Sequence, residues 1–155
     1  MARRTIKGTG GIQATFESVK GKINTIAADK IEERLDEVSY FATHTALTEG
    51  GRGDGVDTGA YVTSFSIGPA GFGGGRSKTS DNKSRNQNPQ AMKQEGYELL
   101  LSDIRGMDVK KMLEDNSNVK FTLRNRSTHA TDVENGKNWS SSGYHVFKKI
   151  RSRFG

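Results

Sequence analysis

The sequence contains no cysteine and only two prolines in 155 residues. Without thiols there is no disulfide framework, no thiolate nucleophile and no cysteine-ligated metal. A reducing compartment is allowed by that absence but not required. Apolar residues are also scarce: 32% of the chain is hydrophobic and the mean hydropathy is −0.74. A chain of this length defaults to one domain, residues 1–155, but its core must be small. No apolar run approaches the ~20 residues needed to span a bilayer. The basic start, Met1 to Lys7, lacks the apolar stretch of a signal peptide, so neither a membrane role nor export by that route is expected. The three histidines, His44, His129 and His145, lie far apart, and none forms an i, i+4 pair. Zinc, and cofactors generally, are not expected.

Glycine and positive charge are abundant, with 19 glycines and a net charge of +6. The charge is uneven. Residues 1–55 carry eight basic and eight acidic residues, as do residues 56–117; residues 118–155 carry eight basic and two acidic. The whole excess lies in the last segment, which can attract phosphate or an acidic protein face.

Apolar residues at Ile12, Phe16, Val19, Ile23, Ile26, Ile31, Leu35, Val38, Phe41, Ala42 and Leu47 recur at spacings dominated by three and four, the spacing of a helix. Residues 23–48 are its secure part, with a break or kink expected near Gly21 and a stop at Gly50-Gly51. The run 60–67 alternates as a strand, with Tyr61, Thr63, Phe65 and Ile67 on one face. Residues 68–90 have the composition of an extended glycine-rich loop. There Arg76, Lys78, Lys83 and Arg85 against Asp81 give a local charge of +3, suited to an assembly interface. Residues 91–113 form an inserted helical segment with a break at Gly106. Residues 119–123 alternate as a second strand, and Phe147, Ile150 and Phe154 share one face of a C-terminal helix. The fold class is α+β: the long N-terminal helix and further helices packed on one face of a small antiparallel sheet.

Enzymatic motifs fail on inspection. Gly71 to Thr79 resembles a phosphate-binding loop, but Ser77 stands where a glycine should precede Lys78-Thr79, and no helical pattern follows. Arg52-Gly53-Asp54 reads as a turn. Asp132, Glu134 and Lys137 could be drawn as a metal-dependent nuclease site, but they sit in a Gly/Asn-rich turn. No nucleophile, base and oxyanion donor come together.

Two constellations remain. The first is Val56-Asp57-Thr58-Gly59, a cap-and-turn sequence that releases into the 60–67 run. The second runs from the 119–123 strand through Arg124-Asn125-Arg126-Ser127 to His129-Ala130-Thr131-Asp132-Val133-Glu134-Asn135-Gly136. With a long helix before them and a short one after, they resemble the bacteriophage tail-completion family, the neck or head-to-tail joining proteins. Val56 to Gly59, Ser64, Asn125, Ala130, Val133, Glu134 and Gly136 match. His129 stands where tyrosine is usual and Asn135 where an aromatic is common. Residues 68–118 intervene where the family usually has a short turn.

The resemblance implies a non-enzymatic virion protein of the neck, assembled in the host cytoplasm as a closed ring of about six or twelve copies. Its partners would be the portal or head-completion (adaptor) protein and the tail tube or tail proteins. Asp57, Thr58, Gly59, Glu134 and Gly136 would be structural turns. Arg76, Lys78, Lys83 and Arg85, with Lys148, Lys149, Arg151 and Arg153, would face a subunit, a partner or packaged DNA. The alternative is a small basic nucleic-acid-binding protein that uses the C-terminal segment with Tyr144, Phe147 and Phe154 interleaved.

Overall fold

Helix α1 runs without interruption from Lys7 to Tyr40 in the computed structural model, which describes residues 7–48, 59–76, 88–128, 130–136 and 143–155. At 1.5 Å per residue it is about 51 Å long. The break expected at Gly21 is absent. The Thr25 hydroxyl donates to the Gly21 carbonyl at 2.9 Å, and a glycine's cost of about 1 kcal/mol is easily absorbed in so long a helix.

The single apolar stripe read from the sequence is two faces. Ala28, Ile31, Leu35 and Val38 turn inward, whereas Val19, Ile23 and Ile26 are exposed. At 100° per residue, Leu35 lies about 180° around the helix from Ile26.

After Tyr40 the helix widens into a π turn, Phe41–Thr45, and closes with a short α2, Ala46–Thr48. The Ser39 hydroxyl donates to the Leu35 carbonyl at 2.7 Å and the Thr43 hydroxyl to the Ser39 carbonyl at 2.8 Å. Such back-bonding competes with the regular ladder and favours a local change of pitch.

The strand expected over 60–67 begins only at Phe65. Residues 59–64 are a turn and a 3₁₀ turn, Val62–Ser64. The cause is again hydroxyl chemistry: Thr63 donates to the Gly59 carbonyl at 2.7 Å and Ser64 to the Ala60 carbonyl at 2.6 Å, holding the chain in a helical turn. Every residue from Gly59 to Gly68 is buried, so the four alternating positions do not share one sheet face. Strand β1, Phe65–Pro69, pairs antiparallel with β2, Phe121–Asn125, with Phe65 opposite Asn125 and Pro69 opposite Phe121. The second strand thus lies two residues later than the sequence suggested.

Helix α3, Pro89–Gly106, starts where Asn88 accepts a hydrogen bond from the Gln90 amide and Pro89 occupies the first turn. It ends at Gly106, and α4, Val109–Asp115, restarts with Asp108 capping the Lys111 amide. The expected break at Gly106 is therefore present. A short helix α5, Ala130–Asn135, and α6, Val146–Phe154, complete the described elements.

The protein is α+β, with helix α3 at the centre against β1, the 3₁₀ turn and α1. The core unites Leu35, Phe41 and Leu47 with Val62, Phe65, Leu100, Ile104, Val133 and Val146. Helix α1 packs on α3 and α4 rather than chiefly on the strands. At Gly96, in the middle of α3, a Cβ would collide with the Val62 carbonyl oxygen. Close approach of the helix to the 3₁₀ turn thus requires glycine.

Two substitutions test this packing. Gly96→Ala should destabilise the protein by about 1–3 kcal/mol in chemical denaturation, although alanine is the better helix former by about 1 kcal/mol. Leu35→Asp, which buries an unpaired charge, should cost about 3 kcal/mol or more. A parent-like melt for either variant would show that the contact is not close-packed.

Candidate functional site

The two sequence constellations meet around Tyr61. Its hydroxyl donates to Glu134 Oε1 at 2.6 Å, and its carbonyl accepts from Asn125 Nδ2 at 2.7 Å. Asn125 Oδ1 in turn accepts from the Ser127 amide at 3.0 Å, shaping the chain as it leaves β2. The other Glu134 oxygen, Oε2, accepts from the Phe147 amide at 3.3 Å, at the N-terminal end of α6. A carboxylate there is stabilised by the helix dipole. The backbone adds to the joint. Tyr144 N donates to the Val133 carbonyl at 2.8 Å and His145 N to the Glu134 carbonyl at 3.2 Å. One carboxylate thus ties together the 59–64 turn, α5 and α6.

Gly59 has φ +75°, the conformation expected of a glycine turn, while Asp57 and Thr58 lie outside the described residues. Glu134 is not a turn residue. It lies in α5, and only Gly136, with φ +81°, turns the chain beyond that helix. The segment reads as a turn because Asn and Gly dominate its end, but Ala130 to Val133 bring Val133 into the core and support a helix. Asp132 and Glu134 therefore stand on a helix, not in a turn, and Lys137 is outside the described residues. Among the described residues no group of three or more His, Asp or Glu could hold a metal ion.

Arg76 faces inward. Its guanidinium meets Asp103 of α3 with Nη1···Oδ1 2.9 Å and Nη2···Oδ2 2.7 Å, and both Nε and Nη2 donate to the Phe65 carbonyl. Asp103 Oδ2 also accepts from the Ile67 amide at 3.0 Å, and the Ser66 hydroxyl accepts from the Arg76 amide at 2.8 Å. Phe65 O and Ile67 N point away from β2. The Arg–Asp pair therefore occupies the outer edge of β1, where a third strand would bond. Lys78, Lys83 and Arg85 lie outside the described residues. Asp103 escaped notice in the sequence. The available signal was its place beside the inward row Gly96, Leu100 and Ile104, where a carboxylate needs a cation.

The C-terminal cations divide. Lys149 Nζ donates to the Ala46 carbonyl at 3.0 Å, and Arg153 stacks on the Phe41 ring at 5.0 Å. Lys148 and Arg151 are exposed. Tyr144 is buried, and Phe147, Ile150 and Phe154 pack against the core as the helical spacing implied. None of the three aromatics is a free stacking platform for bases. Among the described residues no helix is long and apolar enough to cross a membrane.

Two phenols titrate high. Burial pushes Tyr61 well above the ordinary tyrosine range, aided by the neighbouring Glu134 charge. The Tyr97 hydroxyl, hydrogen-bonded to Asp36 of α1, is pushed up to about 12. Phenols with raised folded-state pKa values contribute stability that is whole below about pH 10 and lost as pH rises through the folded values. Denaturation midpoints should therefore fall above about pH 10, and less steeply in Tyr61→Phe and Tyr97→Phe. At neutral pH, Tyr61→Phe should cost about 1–3 kcal/mol by stripping Glu134 of a donor. A neutral-pH melt like the parent's would remove Tyr61 from the joint.

No family model matches the chain, and no curated protein or solved structure matches it either.

Proposed function

We propose that the protein is a non-enzymatic structural component of a tailed bacteriophage virion, forming a ring in the neck between the portal or adaptor side of the head and the tail. The observation that supports this reading best is the joint at Tyr61, with Asn125 on its carbonyl and Glu134 on its hydroxyl. Asn125 and Glu134, both quoted for the family resemblance, meet at Tyr61 in the 59–64 turn and lock the sheet end to the last two helices. The small apolar fraction also fits a subunit that completes its burial against neighbours in a closed ring. In this reading the exposed Lys148 and Arg151, together with Lys78, Lys83 and Arg85, face an adjoining protein or packaged DNA.

The nucleic-acid-binding alternative would rest on phosphate contacts alone, because the aromatics of the C-terminal segment pack inward.

The deciding experiment removes the gene from its phage and examines the lysate by electron microscopy. The neck reading expects DNA-filled heads and finished tails lying apart, rejoined when the protein is supplied in trans. Normal joined particles would sink it. Strong DNA binding by the purified protein, weakening steeply with salt, together with normal particles, would favour the alternative.

A further inference from the structure

Helix α1 carries an apolar stripe that the described elements leave uncovered. Val19, Ile23 and Ile26 are 47%, 58% and 63% exposed, on the side of the helix opposite the core-facing Ala28 and Leu35. In the sequence the stripe extends back through Phe16 and Ile12, with spacings of four, three, four and three. That is the 3.5-residue repeat of a helix that pairs with another helix. The inward face at Ala28, Ile31, Leu35 and Val38 has the same spacing, so it is exposure that marks the outer stripe as a second contact face.

The charges beside the stripe indicate the partner. Lys20 and Lys22 flank its N-terminal part, and acidic residues dominate from Asp29 to Glu37. Lys30 and Arg34 are bonded within α1 to Glu33 and Glu37, so the negative excess falls on Asp29, Glu32 and Asp36, of which Asp36 accepts from Tyr97. Lys22 and Asp29, one heptad apart, occupy the same flank. In an antiparallel pair centred near Asn24 and Thr25, Ile23 of each helix would pack on Ile26 of the other, Val19 would lie along the aliphatic stem of Lys30, and Lys22 would meet Asp29. A parallel pair would set Lys22 beside Ala27 and gather the lysines at one end.

We propose that the Val19–Ile23–Ile26 face of α1 docks antiparallel on the same face of a second copy of this chain, with two Lys22–Asp29 ion pairs flanking the seam. Such a contact is isologous and closes on itself. It stands on the helix alone and concerns the free protein: a neck ring whose copies all run from head to tail has no two-fold axis between neighbours, so the pair would part before such a ring forms.

Sedimentation equilibrium of the full chain at low salt tests it. The parent should form a concentration-dependent dimer. Ile23→Glu should raise the dissociation constant at least about tenfold, with unchanged helical circular dichroism because the side chain is exposed. Lys22→Glu should weaken the dimer, and Lys22→Glu combined with Asp29→Lys should restore it. A parent that stays monomeric at every concentration, or association that survives Ile23→Glu, would overturn the proposal. So would a charge swap that fails to restore what Lys22→Glu removes. Head-to-tail joining in the phage is scored separately, so either reading can fail without the other.

Discussion

The fold depends on how closely α3 can lie on the 3₁₀ turn. With few apolar residues, this protein cannot fill a wide gap between elements with large side chains. At Gly96 the backbone of the helix instead comes against the Val62 carbonyl. That approach brings Leu100 and Ile104 down onto Phe65 and Ile67, which share the central core with them. A two-stranded sheet has little stability of its own. Its order here comes from the helix laid across it and from the long α1 packed on that helix.

A second theme is the use of short polar side chains in place of regular backbone pairing. The hydroxyls of Ser39 and Thr43 accompany the change to a π turn, and those of Thr63 and Ser64 hold a helical turn where alternation called for a strand. Asn125 and Glu134 then bind the turn from two sides through Tyr61. All these polar groups are partnered, as burial demands. The joint is consequently sensitive to single-atom changes that leave volume unaltered.

The parts of this architecture legible in the sequence were those set by period and by punctuation. Helical spacing located α1, α3 and α6, and Gly106 marked the boundary between α3 and α4. The alternation near 119–123 located β2 to within two residues. The rest depended on competition that local pattern does not resolve. The sequence Tyr61 to Ile67 alternates, but hydroxyl back-bonding decided its first half. Along α1 the apolar spacing is three or four except for a step of five from Ile26 to Ile31, and the tertiary arrangement makes that step the change from an outward face to an inward one. The inward turn of Arg76 was hidden because its partner, Asp103, is 27 residues away with no motif to join them. Composition made the arginine look like a surface cation.

The outer edge of β1 is closed by a guanidinium and a carboxylate, neither of which can pass the hydrogen-bond pattern on to a further chain. A strand in that position would itself present a new edge, and so would any strand added after it. The side-chain pair ends the series. For a sheet two strands wide among the described residues, termination by side chains separates a sheet that stops from one able to recruit neighbours without limit. The loop carrying Arg76 therefore acts as a stopper for growth in one dimension, and it leaves association to surfaces that can close.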